Sequence, residues 1–200
     1  MARYRGPKQK IARRFKEPIY GPSPSLERKP YPPGQHGPSR RRKESEYAVQ
    51  LKEKQKAKYT YGLLERPFRN LFKKAASKKG VTGENLLRFL ESRLDNTVFR
   101  LGFTQSRRQA RQLVTHKHIM VNDRVVSYPG FQLRPGDIVS VRPRSRHLVV
   151  VHEALRSNRR AYPWLDVNRK ALVGKFVDVP NREDIPENIR EQLIVELYSK

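Results

Sequence analysis

No cysteine occurs in the 200-residue sequence, which excludes a disulfide framework and any thiolate metal site and leaves the redox compartment open. Long apolar runs are equally scarce. The longest aliphatic stretch is LVVV at 148–151, and the opening MARYRGP lacks the apolar segment of a secretory leader, so neither a membrane span nor a signal peptide is expected. A soluble, intracellular chain is implied. Acidic residues are the third shortage: 19 against 44 basic ones leave a net charge of +25. Such self-repulsion calls for a polyanionic partner, with nucleic acid the first candidate and an anionic membrane surface the second. The membrane fits less well, because no long amphipathic segment joins a basic face to exposed Trp, Phe and Leu.

Positive charge is graded along the chain. Residues 1–60 carry 17 basic and 5 acidic side chains and residues 93–147 carry 11 and 3, whereas residues 148–200 carry 9 and 8. The last quarter therefore reads as scaffold or as a protein-facing surface. Residues 1–43 open with seven basic and no acidic side chains in the first 16 positions and continue through Pro22, Pro24, Pro30, Pro32, Pro33 and Gly34. That composition cannot build its own core. It implies an arm that is extended or disordered alone and folds onto its partner, with Tyr4, Phe15, Tyr20 and Tyr31 available for packing or stacking; a dispensable solvated tail is the alternative.

Three helices are expected next. The first covers residues 44–61, with Tyr47, Val49 and Leu51 as its apolar positions and Gly62 as its stop. Pro67 suits the first turn of the second, in which Phe68, Leu71, Phe72, Ala75 and Ala76 recur at helical spacing before Gly80. The third runs over about residues 84–94 and buries Leu86, Leu87, Leu90 and Leu94.

Residues 93–142 are the most informative. Ser106 and Gln109 form an S-x-x-Q capping box that starts a helix at Arg107. Ala110, Leu113 and Val114 make its inner stripe and leave Arg107, Arg108, Arg111, Gln112 and Lys117 to project elsewhere as a row of phosphate donors. Ile119-Met120-Val121, Asn122-Asp123 and Val125-Val126 then have the pattern of a tight hairpin. Pro129-Gly130 and Pro135-Gly136-Asp137 add turns, and IVSV at 138–141 adds a short β-branched strand. A helix pair on a small sheet is the expected product. Beyond it, residues 148–157 suit either a buried strand or a helix, residues 171–179 a hairpin through Gly174, and residues 189–198 a helix on Ile189, Leu193 and Leu197.

These residues resemble the RNA-binding module shared by the small-subunit ribosomal protein four family, many pseudouridine synthases, some tyrosyl-tRNA synthetases and a ribosome-associated heat-shock protein. Its pattern, S-R-x-x-A-R-x-L-V followed by a strand, V-N-G and P-G-D, stands here at 106–114, 121–123 and 135–137, with Asp123 where Gly is usual. Resemblance to the bacterial small-subunit ribosomal protein four family extends from end to end. It is carried by MARYRGPK, by PYPPGQHG at 30–37, YAVQLKEKQK at 47–56 and YGLLERPFRNLFKKA at 61–75, and by TGENLLRFLESRLDNTVFRLGF at 82–103 and LIVELYSK at 193–200. A pseudouridine synthase would need a catalytic domain with an active-site Asp, and the chain has no room for one.

The resemblance implies an α+β protein. A basic arm over residues 1–43 precedes a mostly helical domain, residues 44–92 with about 165–200, and an RNA-binding domain over residues 93–164 is inserted into it. Direct binding of small-subunit rRNA at a multi-helix junction is implied, with nucleation of the subunit body and a contribution to translational accuracy together with small-subunit protein five. Messenger RNA, where it enters the subunit, is a further implied partner; no membrane, cofactor or homo-oligomer is expected. The RNA-binding residues expected in the arm are Arg3, Arg5, Lys8, Lys10, Arg13, Arg14, Gln35, His36, Arg40, Arg41, Arg42 and Lys43. Arg69 joins them, and the inserted domain adds Ser106, Arg107, Arg108, Arg111, Gln112, His116, Lys117 and Asn122. By resemblance the run at 40–43 lies near the messenger; a solvated basic linker is its plainer reading. Many family members hold the arm with four cysteines around zinc, and with no cysteine here no metal is expected.

Other chemistry finds little support. Asp95, Asp137 and the Glu183-Asp184 pair each fit a cap, a turn or a surface loop, and no nucleophile stands with a base. His116 and His118, two residues apart with no nearby carboxylate or thiol, make a poor metal pair. Gly174-Lys175 lacks the glycine spacing of a phosphate-binding loop. The chain reads as a binder and not an enzyme. A small RNA chaperone or recycling factor with the same module is the alternative, followed by an RNA-modifying enzyme.

Overall fold

The computed structural model describes residues 4–39, 43–158 and 160–199. The chain divides into two compact units, Met1–Lys74 with Asn188–Lys200, and Ala75–Glu187.

In the first unit the arm is folded, packed on a surface that residues beyond it supply. Helix α1 (Lys8–Phe15) buries Ile11, Ala12 and Phe15, and the rings of Phe15 and Tyr4 lie 6.1 and 5.2 Å from that of Tyr59. Composition alone hid this, because three apolar side chains at helical spacing suffice once Tyr59 offers a surface to cover. A short α2 (Pro24–Arg28) follows, capped by the Ser23 hydroxyl, which accepts from the Leu26 N–H at 3.3 Å. Arg13 then fastens the proline-rich loop. Its Nε donates to the carbonyls of Lys29 and Tyr31 at 3.1 and 3.0 Å, its Nη2 donates to that of Pro32 at 3.3 Å, and its guanidinium lies 5.0 Å from the Tyr31 ring centre. Gly37 closes the loop, since a Cβ there would fall 2.1 Å from the Pro32 carbonyl oxygen.

Helix α3 (Glu46–Thr60) starts at Ser45, whose Oγ accepts from the Ala48 N–H at 3.3 Å. Its buried positions are Gln50, Lys54, Lys56, Ala57 and Thr60, and Tyr47, expected to be apolar packing, is 58% exposed. Lysine stems can cover apolar surface while the ammonium finds a carboxylate, so this face is invisible to an apolar count. Helix α9 (Glu191–Ser199) packs on α3. Gln50 Nε2 donates to Glu196 Oε2 at 3.1 Å, and the Arg190 N–H donates to Glu53 Oε1 at 2.9 Å. Helix α4 (Glu65–Ala76) supplies Glu65, which accepts from Lys54 Nζ at 2.7 Å, Lys58 Nζ at 3.3 Å and the Tyr198 hydroxyl at 3.1 Å.

Burial pushes the Glu65 carboxyl upward, but hydrogen bonds and charge from Lys54 and Lys58 outweigh it and hold the group below its ordinary 4.5. Burial, then Glu65, raises the Tyr198 hydroxyl above its ordinary value, with Arg69 opposing. A depressed folded-state carboxyl stabilises the fold above the unfolded value and loses that contribution as pH falls through the folded one. Glu65→Gln should therefore melt below the wild type at neutral pH and converge with it below about 4.5. A gap that is independent of pH would contradict this.

The second unit begins with α5 (Thr82–Glu91), α6 (Leu94–Arg100) and α7 (Arg107–Thr115). Strands β1 (Ile119–Val121), β2 (Arg124–Val125) and β3 (Ile138–Val141), a 3-10 turn (Pro143–Ser145), α8 (Val149–Ser157), and strands β4 (Leu165–Asn168) and β5 (Val173–Phe176) complete it. The strands form one antiparallel sheet in the order β2-β1-β3-β5-β4. Leu94, Val98, Phe103, Val114, Ile119, Val139, Trp164 and Phe176 are among the residues of a single core.

Three expectations are revised here. The helix expected over residues 84–94 stops at Glu91 and Leu94 starts the next one, because Arg93 turns extended and bridges Gln132, while the Leu133 N–H donates to the Ser92 carbonyl and the Leu94 N–H to the Phe131 carbonyl, each at 2.9 Å. Tertiary pairing overrides helical continuation at that point. The hairpin expected through Gly174 instead joins β4 to β5, with its turn at 169–172 and Leu172 at φ 57°. Gly174 sits within β5 because a Cβ there would meet Leu101 Cδ2 at 2.3 Å. The boundary expected at 164/165 also moves. Strand β5 pairs with β3 and covers an edge that would otherwise stay open, so residues 165–187 belong with this sheet, as does α5.

Candidate nucleic-acid interface

Helix α7 starts where its cap places it. Ser106 Oγ accepts from the Gln109 N–H at 3.3 Å, and Gln109 Oε1 takes the Gln105 N–H at 3.1 Å rather than that of Ser106, so the capping box closes one residue early. Ala110, Leu113 and Val114 are buried as their spacing requires.

The arginines of α7 do not form one row. Arg107 donates from Nε to Asn96 Oδ1 at 2.7 Å, pairs through Nη2 with Glu187, and lies 4.7 Å over the Phe99 ring. Arg111, one turn on, donates to Asp95 Oδ2 at 3.3 Å. Both belong to a buried ionic network that the sequence reading missed. At its centre Arg100 grips Glu91 bidentately at 3.0 and 2.8 Å, with side chains only 3% and 0% exposed. Arg100 also pairs with Glu187 and donates to the Tyr162 hydroxyl at 3.1 Å, while Asn96 Nδ2 donates to Glu91 Oε2 at 2.7 Å. Arg93 holds Asp95 at 3.1 and 2.8 Å alongside. Charges as dry as those of Arg93, Arg100, Glu91 and Asp95 are tolerable only when mutually paired, and the side chains of Arg107 and Arg111, each 14% exposed, are tied in at the edge of the same network. The available signal was a pair of i, i+4 spacings, Asn96 with Arg100 and Arg107 with Arg111, on successive helices.

The outward side of α7 is different. Arg108 is partly exposed, and Gln112, His116 and Lys117 are exposed. Lys117 at φ 64° ends the helix, with its N–H on the Val114 carbonyl at 3.0 Å. The His116 and His118 rings lie 6.1 Å apart. Burial, then the charges of His116 and Arg142, holds His118 below its ordinary 6.5. Asn122 and Asp123 turn the β1–β2 hairpin at φ 47° and 61°, a left-handed conformation that both tolerate. The Asn122 side chain is occupied within that turn: Nδ2 donates to Asp137 Oδ1 at 2.8 Å and Oδ1 accepts from the Ile138 N–H at 2.9 Å.

In the first unit Arg5, Lys8, Lys10, Arg14, Gln35, His36, Lys43 and Arg69 are exposed, whereas Arg13 is the loop fastener described above. Arg3, Arg40, Arg41 and Arg42 lie outside the described residues. No helix among the described residues is long and apolar enough to cross a membrane.

Residues 3–91 match the ribosomal protein S4/S9 N-terminal domain, and residues 92–139 match the S4 domain. The small ribosomal subunit protein uS4 of Salinibacter ruber is 68% identical over 200 residues, covering the whole of both chains. The chain belongs to the uS4 family. The uS4 proteins of Phocaeicola vulgatus and Bacteroides thetaiotaomicron are 60% and 59% identical, again over the full length of both chains. Membership makes this a ribosomal structural protein of the small subunit and not an enzyme, with an RNA-binding S4 domain following a helical amino-terminal one. The S4-domain match of this uS4 chain ends inside β3, while the sheet continues through β5 and β4.

Proposed function

We propose that this uS4 protein grips small-subunit rRNA with the outward row of α7, Arg108, Gln112, His116 and Lys117, together with the exposed cations of the arm, and so nucleates the subunit body in the cytoplasm. The observation that carries this reading is the division of α7: its inward arginines, Arg107 and Arg111, are paired with carboxylates, while Gln112, His116 and Lys117 stand exposed on the other side. Phosphate contacts fix position on RNA, and Gln and His donors add readout of sugars and base edges. The resemblance of the arm and of the carboxyl-terminal block supports a shared role with small-subunit protein five in translational accuracy. The charge of the run at 40–43 supports contact with incoming messenger RNA. The cysteine-free chain makes the test direct. A hydroxyl-radical source tethered at Gln112→Cys should cut deproteinised small-subunit rRNA at one confined set of nucleotides; no cleavage from that position would contradict the reading.

A further inference from the structure

We propose that the 3-10 turn after β3, together with the end of α7, forms a second phosphate cradle for rRNA, with Lys117, Arg144, Arg146 and His147 as its donors. The inference rests on the rRNA-binding reading above and places a contact beyond the S4-domain match, which ends at residue 139.

The backbone holds these residues in one place. The Arg142 N–H donates to the His118 carbonyl at 2.8 Å, and the His118 ring Nδ1 lies 2.8 Å from the hydroxyl of Ser145, which is 5% exposed. Within the turn the Ser145 N–H donates to the Arg142 carbonyl at 2.8 Å, the Arg146 N–H to that of Pro143 at 3.3 Å and the Leu148 N–H to that of Ser145 at 3.2 Å. His152 Nε2, from α8, sits 2.7 Å from the Arg146 carbonyl oxygen and secures the far side. A turn fixed in this way presents its cations without the ordering cost that a floppy loop would carry on binding.

Position, and not pairing alone, sets this cluster apart. Arg124, Arg134, Arg169 and Lys170 are also exposed without an ion pair among the described residues, but only here do the hydrogen bonds above bring several such cations to one place. Arg93, Arg100, Arg107 and Arg111 each have a carboxylate partner, whereas among the described residues none forms an ion pair with Lys117, Arg142, Arg144 or Arg146. Arg144, Arg146, His147 and Lys117 are all exposed. The His118 ring lies 6.1 Å from that of His116, and the His118 carbonyl takes the Arg142 N–H, so the end of α7 and the end of β3 meet there. Glu153 on α8 is exposed, and among the described residues its carboxylate forms no ion pair with any of them. Fixed, exposed cations lacking an internal anion match the spaced charges of an RNA backbone.

The test is a salt titration of full-length protein binding to deproteinised small-subunit rRNA. Arg144→Gln with Arg146→Gln should flatten the plot of log affinity against log salt by about 1.4–1.8, two contacts' worth. Arg169→Gln with Lys170→Gln, in the β4–β5 turn, removes the same charge and should leave the slope at the wild-type value. Arg144→Lys with Arg146→Lys should restore it. An unchanged slope for the first pair, or an equal loss from both glutamine pairs, would overturn the cradle while leaving the α7 reading intact. A wild-type protein that prefers unrelated RNA of equal length would overturn both.

Discussion

Arg100→Ala should lower the unfolding free energy by about 3–5 kcal/mol, the expected penalty for stranding one member of a buried ion pair. The size of the effect comes from what remains and not from the attraction that is lost. Glu91 is 0% exposed, and with Arg100 gone its carboxylate loses both guanidinium hydrogen bonds, at 3.0 and 2.8 Å. Glu187 would lose one of its two arginines, and the Tyr162 ring would lose the guanidinium 4.8 Å from its centre. Urea denaturation measures the loss directly. Replacing both Glu91 and Arg100 with apolar residues of similar volume should recover much of it, because the desolvation cost of the pair disappears with the pair. A single-variant loss under about 1 kcal/mol would mean that the pair is hydrated and has been misread.

The helices and turns that follow local rules were legible in the sequence. Phe68, Leu71, Phe72 and Ala75 are buried at the spacing that announced α4, and Ser106 starts α7 where its cap requires. Asn122-Asp123 turns the hairpin between β1 and β2 because both residues tolerate positive φ. What remained hidden depends on partners far away in the chain. Arg107 and Glu187 are 80 residues apart, and Arg13 reaches a carbonyl 19 residues on, so counting cations could not separate structural arginines from RNA-facing ones. Polar burial defeats apolar periodicity in the same way, as Gln50 and Lys54 on α3 show. Strand β5 was missed because Gly174 looks like a turn residue until Leu101 is seen beside it.

That distinction between inward and outward cations has a large expected consequence in solution. With roughly six to ten phosphates contacted, affinity for small-subunit rRNA should fall by about 10³–10⁵ between 50 and 200 mM salt. The inward arginines should contribute little to that dependence, since carboxylates already neutralise them and binding would release few counterions on their account. They should matter for folding instead. The decisive measurement is the salt slope of two double variants against the wild type, each taken where the protein is fully folded. Arg108→Gln with Lys117→Gln should flatten the slope by about 1.4–1.8, whereas Arg107→Gln with Arg111→Gln should melt earlier and keep the wild-type slope. If the inward pair flattened the slope as much as the outward pair, α7 would meet RNA with the face assigned here to its own fold.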